Sequence, residues 1–462
     1  MRVLSGMGGA PLDPAAIAWY LERGIPTGRD LKTAAVPSAP SVLFEALRVF
    51  GTKSFEEAAG PALRLLDRGR EAWHPRLAAT LRRLIEAERR ALGTREEKLQ
   101  AARDRLYKGD IADELEAWYV ECGSFLRKAD LAAHATRLEE PATVAYRGFT
   151  VAKCGPWTQG PYLSETLRLL EGFPLREMGR FSADEIHVCV EALKLALADR
   201  DAYYGDPLFA RVPLRELLSE EYAKVRRPLI DLKAASKEIR PGDPIRLRAI
   251  RGAGELRPAP GGTTTCCVAD RWGNVVAATP SGNPPYVEPP GGPTGVGHAT
   301  RLTSFNVSPG HPNCIAAGKR PRITLTPTIA YREGGPVIAV SVAGGDLQDQ
   351  VTLSVLLEMI EFGRRPEEAV TAPRFATGHH ENSFDPRPER SRAVVKLGGL
   401  TLASSIPKEV REALAARGHE VAVAEKPIGA PVAVLFDPET GVAYAAGDPA
   451  AGRHAAAARA GR

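Results

Sequence analysis

Residues 261–283 read GGTTTCCVADRWGNVVAATPSGN, and the hydrophobic pattern changes at this point in the chain. Cys266 to Ala269 and Val275 to Thr279 have the composition of short strands, and the turn-forming residues Asp270 to Asn274 separate them. Up to about residue 235 the preceding sequence has mostly helical periodicity, and a Pro- and Gly-rich stretch joins the two parts. The stretch therefore predicts a β-hairpin that opens a strand-rich second part.

Further hairpins and helices are predicted on both sides of this stretch. The predicted hairpins join Ile323–Tyr331 to Pro336–Ala343 and Val432–Phe436 to Val442–Ala446. The predicted helices include Phe55–Arg68, Ala183–Tyr204, Gln350–Phe362 and Pro407–Arg417. Antiparallel hairpins with helices between them indicate the α+β class.

Composition indicates an ordinary globular protein. The 462 residues are 44% hydrophobic and 25% charged, with a net charge of +5. Lys and Arg alternate with Glu and Asp along helical segments, so we predict no nucleic-acid partner. The chain has no run of about 18 apolar residues, which predicts no membrane span, and the start has no signal-peptide pattern, which favours a cytoplasmic location. The Ala- and Arg-rich residues 452–462 are predicted to be a frayed end.

The cysteine and histidine patterns predict neither a metal nor a cofactor. The six cysteines have no C-x-x-C spacing, and the adjacent Cys266 and Cys267 would point to opposite faces of a strand. His379 and His380 stand beside Glu381, but no third ligand follows at helical spacing. We therefore expect reduced thiols and solvated histidines.

The Gly262–Thr263 bond combines a cleavable position with a nucleophile. If this bond is cut, the Thr263 hydroxyl lies beside a free α-amine with a reference pKa of about 7.7 to 8.0, which can act as general base. By composition alone, Thr263 to Thr265 are three β-branched residues typical of the start of a strand.

The segment Thr263 to Asn283 resembles the start of the small subunit in the γ-glutamyltranspeptidase family of N-terminal-nucleophile hydrolases. Other blocks on both sides of this segment also resemble the family and occur in the order that the family has. They are 107–112, 146–149, 196–207, 309–313, 318–322, 343–346 and 372–375. The resemblance implies a four-layer αββα sandwich. It also implies cleavage between Gly262 and Thr263, so that residues 1–262 and 263–462 form a heterodimer of a large and a small segment within one domain.

The resemblance assigns chemical roles to individual residues. Thr263 is the implied nucleophile, and Ser281 is the hydroxyl that orients it. Gly344 and Gly345 match the oxyanion-hole glycines, whose N–H groups can approach an oxyanion closely because no Cβ intervenes. Asn283 matches a residue that orients the substrate and the new N-terminus.

The residues that recognise the substrate depart from the family pattern. Met7 to Gly9 precede Ala10-Pro11, where the family has a carboxylate-binding arginine; Ser304 replaces an amine-binding aspartate. Ile323-Thr324 replaces a pair of serines, and Arg301 and Arg322 can bind a carboxylate instead. The predicted substrate-binding residues are Asn283, Arg301, Ser304, Arg322 and Thr324.

These departures leave three functions open. The first is cleavage of a γ-glutamyl or related small-molecule amide. The second is an acylase or amidase activity on substrates without the α-amino acid head group. The third is a truncated, inactive homologue, since the family's N-terminal strand–helix–strand segment has no counterpart in this sequence. A missing start would also leave open an export signal.

Overall fold

The structure is a computed structural model that describes residues 1–28, 30–249, 263–282 and 290–458. The chain forms two compact units. Unit 1 consists of Met1–Glu140, Gly282–Pro321 and Asp385–Pro388, and unit 2 of Pro141–Ser281, Arg322–Phe384 and Glu389–Arg462. The predicted division after residue 262 does not coincide with these boundaries and stays a prediction. Gly262 and Asn283 lie outside the described residues.

Unit 1 is mostly helical. Its two short strands, β1 (Val3–Ser5) and β2 (Arg137–Glu139), pair antiparallel. Its helices are α1 (Pro14–Arg23), α2 (Ala39–Phe50), α3 (Phe55–Leu66), α4 (His74–Arg90), α5 (Arg95–Tyr107), α6 (Asp110–Glu121) and α7 (Lys128–Ala133). Capping boxes at Ser54 and Thr94 begin α3 and α5, because each hydroxyl accepts a backbone N–H at the third helical residue. The helix predicted after Ser54 is confirmed.

Unit 2 contains the main sheet. Its strands are β3 (Ala142–Tyr146), β4 (Phe149–Lys153), β5 (Gly242–Asp243), β6 (Arg248–Ala249), β7 (Cys266–Ala269), β8 (Val275–Ala278), β9 (Thr328–Tyr331), β10 (Val337–Ala343), β11 (Phe375–Thr377), β12 (Gly399–Ala403), β13 (Glu420–Ala424), β14 (Ala430–Asp437) and β15 (Val442–Gly447). Six of them form an antiparallel sheet in the order β15-β14-β10-β9-β4-β3. β11, β12 and β13 form a smaller sheet, and β5–β6 and β7–β8 are two-stranded pairs.

The helices of unit 2 pack on the six-stranded sheet or on one another. They are α8 (Pro161–Leu170), α9 (Leu175–Met178), α10 (Ala183–Tyr203), α11 (Leu214–Leu217), α12 (Glu220–Arg226), α13 (Gln348–Leu356), α14 (Pro366–Thr371) and α15 (Lys408–Ala416). Of these, α8, α13 and α14 contact the strands of that sheet directly. Ile338, Val340 and Val342 of β10 join the same hydrophobic core as α8, α10 and α13. Because side chains alternate along a strand, Ala339, Ser341 and Ala343 point to the opposite face.

The β7–β8 hairpin lies on that opposite face. The Ser341 hydroxyl donates to the carbonyl oxygen of Ala278 at 2.9 Å, and the Thr279 and Ser341 hydroxyls lie 2.8 Å apart. At the other end, a Cβ on Gly273 in the hairpin turn would lie 3.0 Å from the Phe436 ring. Helices, sheet and hairpin are thus stacked in layers, and the predicted α+β sandwich is confirmed.

The hairpin predicted from residues 266–279 is confirmed, with Cys266 paired to Ala278 and Ala269 paired to Val275. Cys266 is exposed and Cys267 is half-buried, as expected for neighbours on opposite faces of a strand. All six cysteines are free thiols. Within the described ranges, no helix is both long enough and apolar enough to cross a membrane.

Candidate active site

Thr263 lies at the open end of the β7–β8 hairpin. It forms an isolated antiparallel bridge with Ser281, and the Thr263 Oγ1 and Ser281 Oγ atoms are 3.0 Å apart. The N–H of Thr264 donates to the carbonyl oxygen of Pro280 at 3.0 Å, which extends the pairing by one residue. The hairpin geometry therefore brings the predicted nucleophile and the predicted orienting hydroxyl into contact.

Gly344 and Gly345 form the turn that follows β10. Their φ angles are +150° and +60°, a region that residues with a Cβ rarely adopt. The turn continues through a 3-10 helix, Gly345–Leu347, into α13. Neither N–H of the pair donates a hydrogen bond to another group in the described part of the chain. The two glycines thus present adjacent backbone donors at the end of a central strand.

The hairpin and the glycine turn lie toward the same end of the sheet. Along β14, Phe436 is paired with Val337 at the start of β10, and Val432 is paired with Ser341 near its end. The hairpin turn is next to Phe436, whereas Ala278 and Thr279 are next to Ser341. The turn of the hairpin therefore lies beside the start of β10, and its open end lies beside the end of β10, next to Gly344. This places Thr263 and Ser281 at the glycine end of the sheet.

The segment Arg322–Thr324 lies beside the same turn. The Gln159 side chain connects the two, since its Nε2 donates to the carbonyl oxygens of Thr324 at 3.4 Å and Gly345 at 3.3 Å. Ile323 also pairs with Thr158 in an isolated bridge. The Thr324 hydroxyl is buried and has no hydrogen-bond partner among the described residues. Thr324 is thus a predicted substrate residue that has an unused polar group near Gly345.

A buried network of charges supports the turn from behind. Arg200 donates from Nη1 to Asp346 at 2.6 Å and to Gln159 at 3.0 Å, and from Nε to Asp201 at 2.7 Å. The Ser383 N–H donates to Asp346 at 3.0 Å. Asp346 directly follows Gly345, so this network fixes the position of the turn.

Opposing effects set the pKa values in this network. Burial would raise the pKa of Asp346, but Arg200, His380 and Arg322 outweigh it and lower the pKa to about 2. Burial, and then the neighbouring Arg200, lower the pKa of Arg322 to about 10, although Asp201 lies 3.5 Å from Arg322. Both groups are therefore charged at neutral pH.

Asp349 is a contrasting carboxyl group in the first turn of α13. Burial raises its pKa to about 6, against the effect of Lys153, whose Nζ lies 2.6 Å from Oδ1. Asp349 Oδ2 is buried without a hydrogen-bond partner among the described residues. Lys153, the Thr326 hydroxyl and Arg200 thus do not outweigh burial at Asp349, whereas the groups around Asp346 outweigh it there.

Arg301 and Ser304 belong to unit 1, in a 3-10 helix that spans Arg301–Ser304. Burial lowers the pKa of Arg301 to about 10. Ser304 is buried, and its carbonyl oxygen accepts a hydrogen bond from Asn313 Nδ2 at 2.6 Å. Unit 2 alone thus assembles the other described site residues: Thr263, Ser281, Arg322, Thr324, Gly344 and Gly345.

The prediction of a frayed end is wrong for Arg453. Its N–H donates to the carbonyl oxygen of Asp448 at 2.8 Å, and its Nη2 donates to the carbonyl oxygen of Thr263 at 2.9 Å. An arginine in an Ala-rich tail has no distinguishing sequence pattern, so the role of this residue is visible only in the structure. The same holds for Gln159, Arg200 and Asp346, although the last two lie in blocks that resemble the family.

Two histidine clusters make structural contacts. His187, Glu191 and His419 lie close enough to hold an ion, but Glu191 already binds Lys194 at 2.6 Å and Arg240 at 3.0 Å, and these cations disfavour a metal. The expectation that His379 and His380 are solvated is wrong, because both are buried. Both ring nitrogens of His379 bond to backbone groups, those of Glu238 and Gly398.

A sequence model of the gamma-glutamyltranspeptidase family matches residues 71–458. The chain is 32% identical to an acylase ACY 1 proenzyme from Pseudomonas sp. (strain SE83) over 440 residues, which cover 88% of this chain and 72% of that protein. It is 30% identical to a glutathione hydrolase proenzyme from Escherichia coli (strain K12) over 361 residues, and it spans only 57% of that protein.

Solved structures agree with this assignment. LmbA2991HD is 35% identical, with a TM-score of 0.85 over 99% of this chain and 88% of that chain. A cephalosporin acylase from Bacillus halodurans is 24% identical and shares the fold, with a TM-score of 0.75 over 97% of this chain and 83% of that chain. The chain therefore belongs to the γ-glutamyltranspeptidase family and is an N-terminal-nucleophile enzyme of the amidohydrolase and acyltransferase type.

Proposed function

We propose that this chain cleaves itself before Thr263 and then hydrolyses or transfers the acyl group of a γ-glutamyl or related amide through an acyl-enzyme on Thr263. The contact that carries this proposal is the 3.0 Å approach of the Thr263 and Ser281 hydroxyls at the glycine end of the sheet. Family membership and the adjacent Gly344–Gly345 donors support it.

Self-cleavage uses the nucleophile on its own peptide bond. The Thr263 hydroxyl attacks the carbonyl carbon of Gly262, and the acyl group moves from nitrogen to oxygen as the peptide C–N bond breaks and the nitrogen takes a proton. Water then hydrolyses the ester, which leaves a carboxylate on Gly262 and a free α-amine on Thr263. Ser281 hydrogen-bonds to the attacking hydroxyl and favours one of its rotamers.

Turnover repeats the chemistry on a substrate amide. The α-amine takes the Thr263 hydroxyl proton while Oγ1 attacks the substrate carbonyl, and the N–H groups of Gly344 and Gly345 stabilise the resulting oxyanion. The amine product leaves with the proton, and water or a second amine releases the acyl group from Thr263. An oxyanion donor typically contributes about 10²- to 10³-fold in rate.

The two products of self-cleavage are expected to remain a heterodimer. In the six-stranded sheet, β3 and β4 precede the junction, and β9, β10, β14 and β15 follow it. β4 pairs with β9 from Thr150–Tyr331 to Lys153–Thr328, so the sheet joins the two segments through a strand ladder in its interior. Separating them would expose two strand edges and the buried face that they share.

An acylase or amidase on substrates without an α-amino acid head group is the second candidate. Arg322 lies within 3.5 Å of Asp201, so its charge already has a carboxylate inside the protein. Ser304 has no charge with which to bind an amine. The acylase relative also matches more of this chain than the glutathione hydrolases do, 88% against 73 to 75%. These observations favour an uncharged or differently charged acyl group.

Intact-mass analysis of the purified protein tests the cleavage step. We expect fragments 1–262 and 263–462 from the natural chain and from Thr264→Ala, which removes the exposed neighbouring hydroxyl, and a single uncut chain from Thr263→Ala. A natural chain that stays whole while it hydrolyses amides would overturn the mechanism, as would cleavage of Thr263→Ala at the same bond.

A panel of anilide substrates separates the candidate functions. Release of the aniline from a γ-glutamyl anilide supports the first candidate, and release only from acyl anilides without an α-amine supports the second. A cleaved protein that forms no acyl-Thr263 adduct with any substrate is the outcome expected of an inactive homologue. Mass spectrometry of the small fragment reports the adduct directly.

A further inference from the structure

The carbonyl oxygen of Thr263 is bound by an arginine near the other end of the small segment. Arg453 Nη2 donates to this oxygen at 2.9 Å. Arg453 is half-buried, and its Nε has no hydrogen-bond partner in the part of the chain that the structure describes. The main chain of Thr263 is thus held by a charged donor, while its side chain contacts Ser281.

The backbone that carries Arg453 is firmly fixed. Arg374 forms a buried ion pair with Asp448 and also donates from Nε to the carbonyl oxygen of Ile428 at 2.7 Å. Asp448 caps a short 3-10 helix, Pro449–Ala451, and its carbonyl oxygen accepts the Arg453 N–H. The chain passes so close to Gly447 that a Cβ there would lie 2.7 Å from the Arg453 carbonyl carbon. Arg453 therefore projects from a rigid turn.

We propose that Arg453 is a positioning residue that holds the main chain of Thr263 for catalysis after cleavage. The inference rests on the proposed function of Thr263. Cleavage removes the covalent link on the N-terminal side of Thr263, and chain termini fray unless they are tied down. The hydrogen bond from Arg453 fixes the carbonyl group of Thr263, and therefore the direction in which its amine and hydroxyl point.

The charge and the shape of the guanidinium both suit this role. A hydrogen bond from a charged donor is stronger than one between neutral groups, and the planar guanidinium has fewer geometries open to it than an ammonium group. Loss of such a hydrogen bond to a reacting residue is expected to lower kcat about tenfold to hundredfold. The KM should change little, because Arg453 contacts the nucleophile and not the substrate.

Arg453→Met and Arg453→Lys test the proposal in the full chain. Arg271→Met is a matched control, since Arg271 lies at the turn of the same hairpin, where its guanidinium is 4.4 Å from the centre of the Trp272 ring. For each protein, the cleaved fraction is measured by intact mass, kcat is normalised to the number of sites that form an acyl-enzyme, and the melting temperature is recorded.

We expect Arg453→Met to lose about tenfold to hundredfold in normalised kcat. Arg453→Lys should be intermediate, and Arg271→Met should match the natural chain. If Arg453→Met keeps its melting temperature but stays uncut while Arg453→Lys is cut, the same positioning acts in the precursor and the proposal stands. Unchanged normalised kcat in Arg453→Met overturns it, as does an equal loss of melting temperature in both Arg453 variants.

The outcome can be told apart from a failure of the proposed function. If the natural chain is never cut, or if Thr263→Ala is cut normally, the proposed function fails whatever Arg453 does. If the natural chain is cut and Arg453→Met turns over normally, only the role of Arg453 fails.

Discussion

Two neighbouring regions of unit 2 are built in opposite ways. The hairpin end, with Thr263 and Ser281, is held by a contact between two hydroxyls, by backbone pairing and by one charged donor, Arg453, which binds the Thr263 carbonyl oxygen. The region behind the glycine turn is held by buried charges, in which Arg200 bonds to both Asp201 and Asp346. The side chain of the proposed nucleophile thus contacts a neutral hydroxyl and its main chain a single guanidinium, whereas the glycine turn is supported by several buried charges of both signs.

This difference separates what each region contributes. A full charge beside the reacting atoms would shift the pKa of the Thr263 α-amine, upward for a carboxylate and downward for a cation. A glycine turn that must hold two N–H groups in place benefits from rigid support, because the donors must be aligned before the oxyanion forms. We therefore expect changes in the charged region to reduce stability first, and changes in the turn to reduce activity first.

Arg200→Met should have the largest effect on stability. It leaves Asp346 and Asp201 buried without their shared guanidinium, and removal of one partner of a buried ion pair costs about 3 to 5 kcal/mol. Urea unfolding at pH 7, followed by tryptophan fluorescence, measures the change. Arg332→Met is the control, since Arg332 is exposed and lies over the Phe149 ring. A loss below about 1 kcal/mol for Arg200→Met would show that the network does not support the fold.

Gly345→Ala should reduce activity far more than stability. A Cβ at this position would lie 3.2 Å from the Phe384 ring, and the φ of +60° costs a residue with a side chain about 1 to 2 kcal/mol. The turn must shift to relieve this contact and this strain, and the shift moves an N–H donor away from the oxyanion. We therefore expect kcat/KM to fall about 10²- to 10³-fold.

Gly334→Ala is the matched control for this change. Gly334 has a φ of +67° in an exposed turn, and no atom lies within 4 Å of the position that its Cβ would take. Gly334→Ala should lose a similar amount of stability, because alanine at this φ is strained, and it should keep full activity. Equal kcat/KM values in the two variants would mean that the Gly344–Gly345 turn has no part in catalysis.

The two regions also differ in how far the sequence reveals them. Thr263, Ser281 and the glycine pair belong to short contiguous motifs, so hairpin periodicity and family resemblance single them out, and the structure brings Thr263 and Ser281 into contact; their roles stay predictions. Gln159, Arg200 and Asp346 come from three separate elements, and no local pattern states which buried charges meet. Arg453 was missed for the same reason, because its partner lies 190 residues away.

Local exceptions explain the remaining differences in the fold. The strand predicted from Ile323 begins only at Thr328, because Pro327 has no N–H to donate to a ladder and Ile323 bridges Thr158 instead. The helix predicted over 350–362 begins earlier, at Gln348, and changes to a π-helix over Leu357–Glu361. Its apolar spacing fits both helix types, so periodicity alone could not locate this change.

The dependence of stability on pH gives the smallest expected effect. The pKa of Asp346 is about 2 in the folded chain, below its reference value of 3.8, so the unfolded chain binds more protons. The stabilisation from Asp346 is therefore complete above about pH 5, and it is lost as the pH falls toward 2. Between pH 5 and pH 3 this single group should account for about 1 kcal/mol of lost stability.

Asp346→Asn tests this contribution, because an amide cannot titrate. Urea unfolding of the natural chain and the variant at pH 5, 4 and 3 gives the difference in unfolding free energy at each pH. We expect this difference to shrink by about 1 kcal/mol from pH 5 to pH 3. The natural chain loses the stabilisation from its ionised Asp346 carboxylate over this range, and the variant has no such stabilisation to lose. Asp349, whose pKa is raised to about 6, titrates in the opposite sense. If the difference between the two proteins stays constant with pH, the cations around Asp346 do not lower its pKa. The contrast between the charged network behind the glycine turn and the hairpin end then fails.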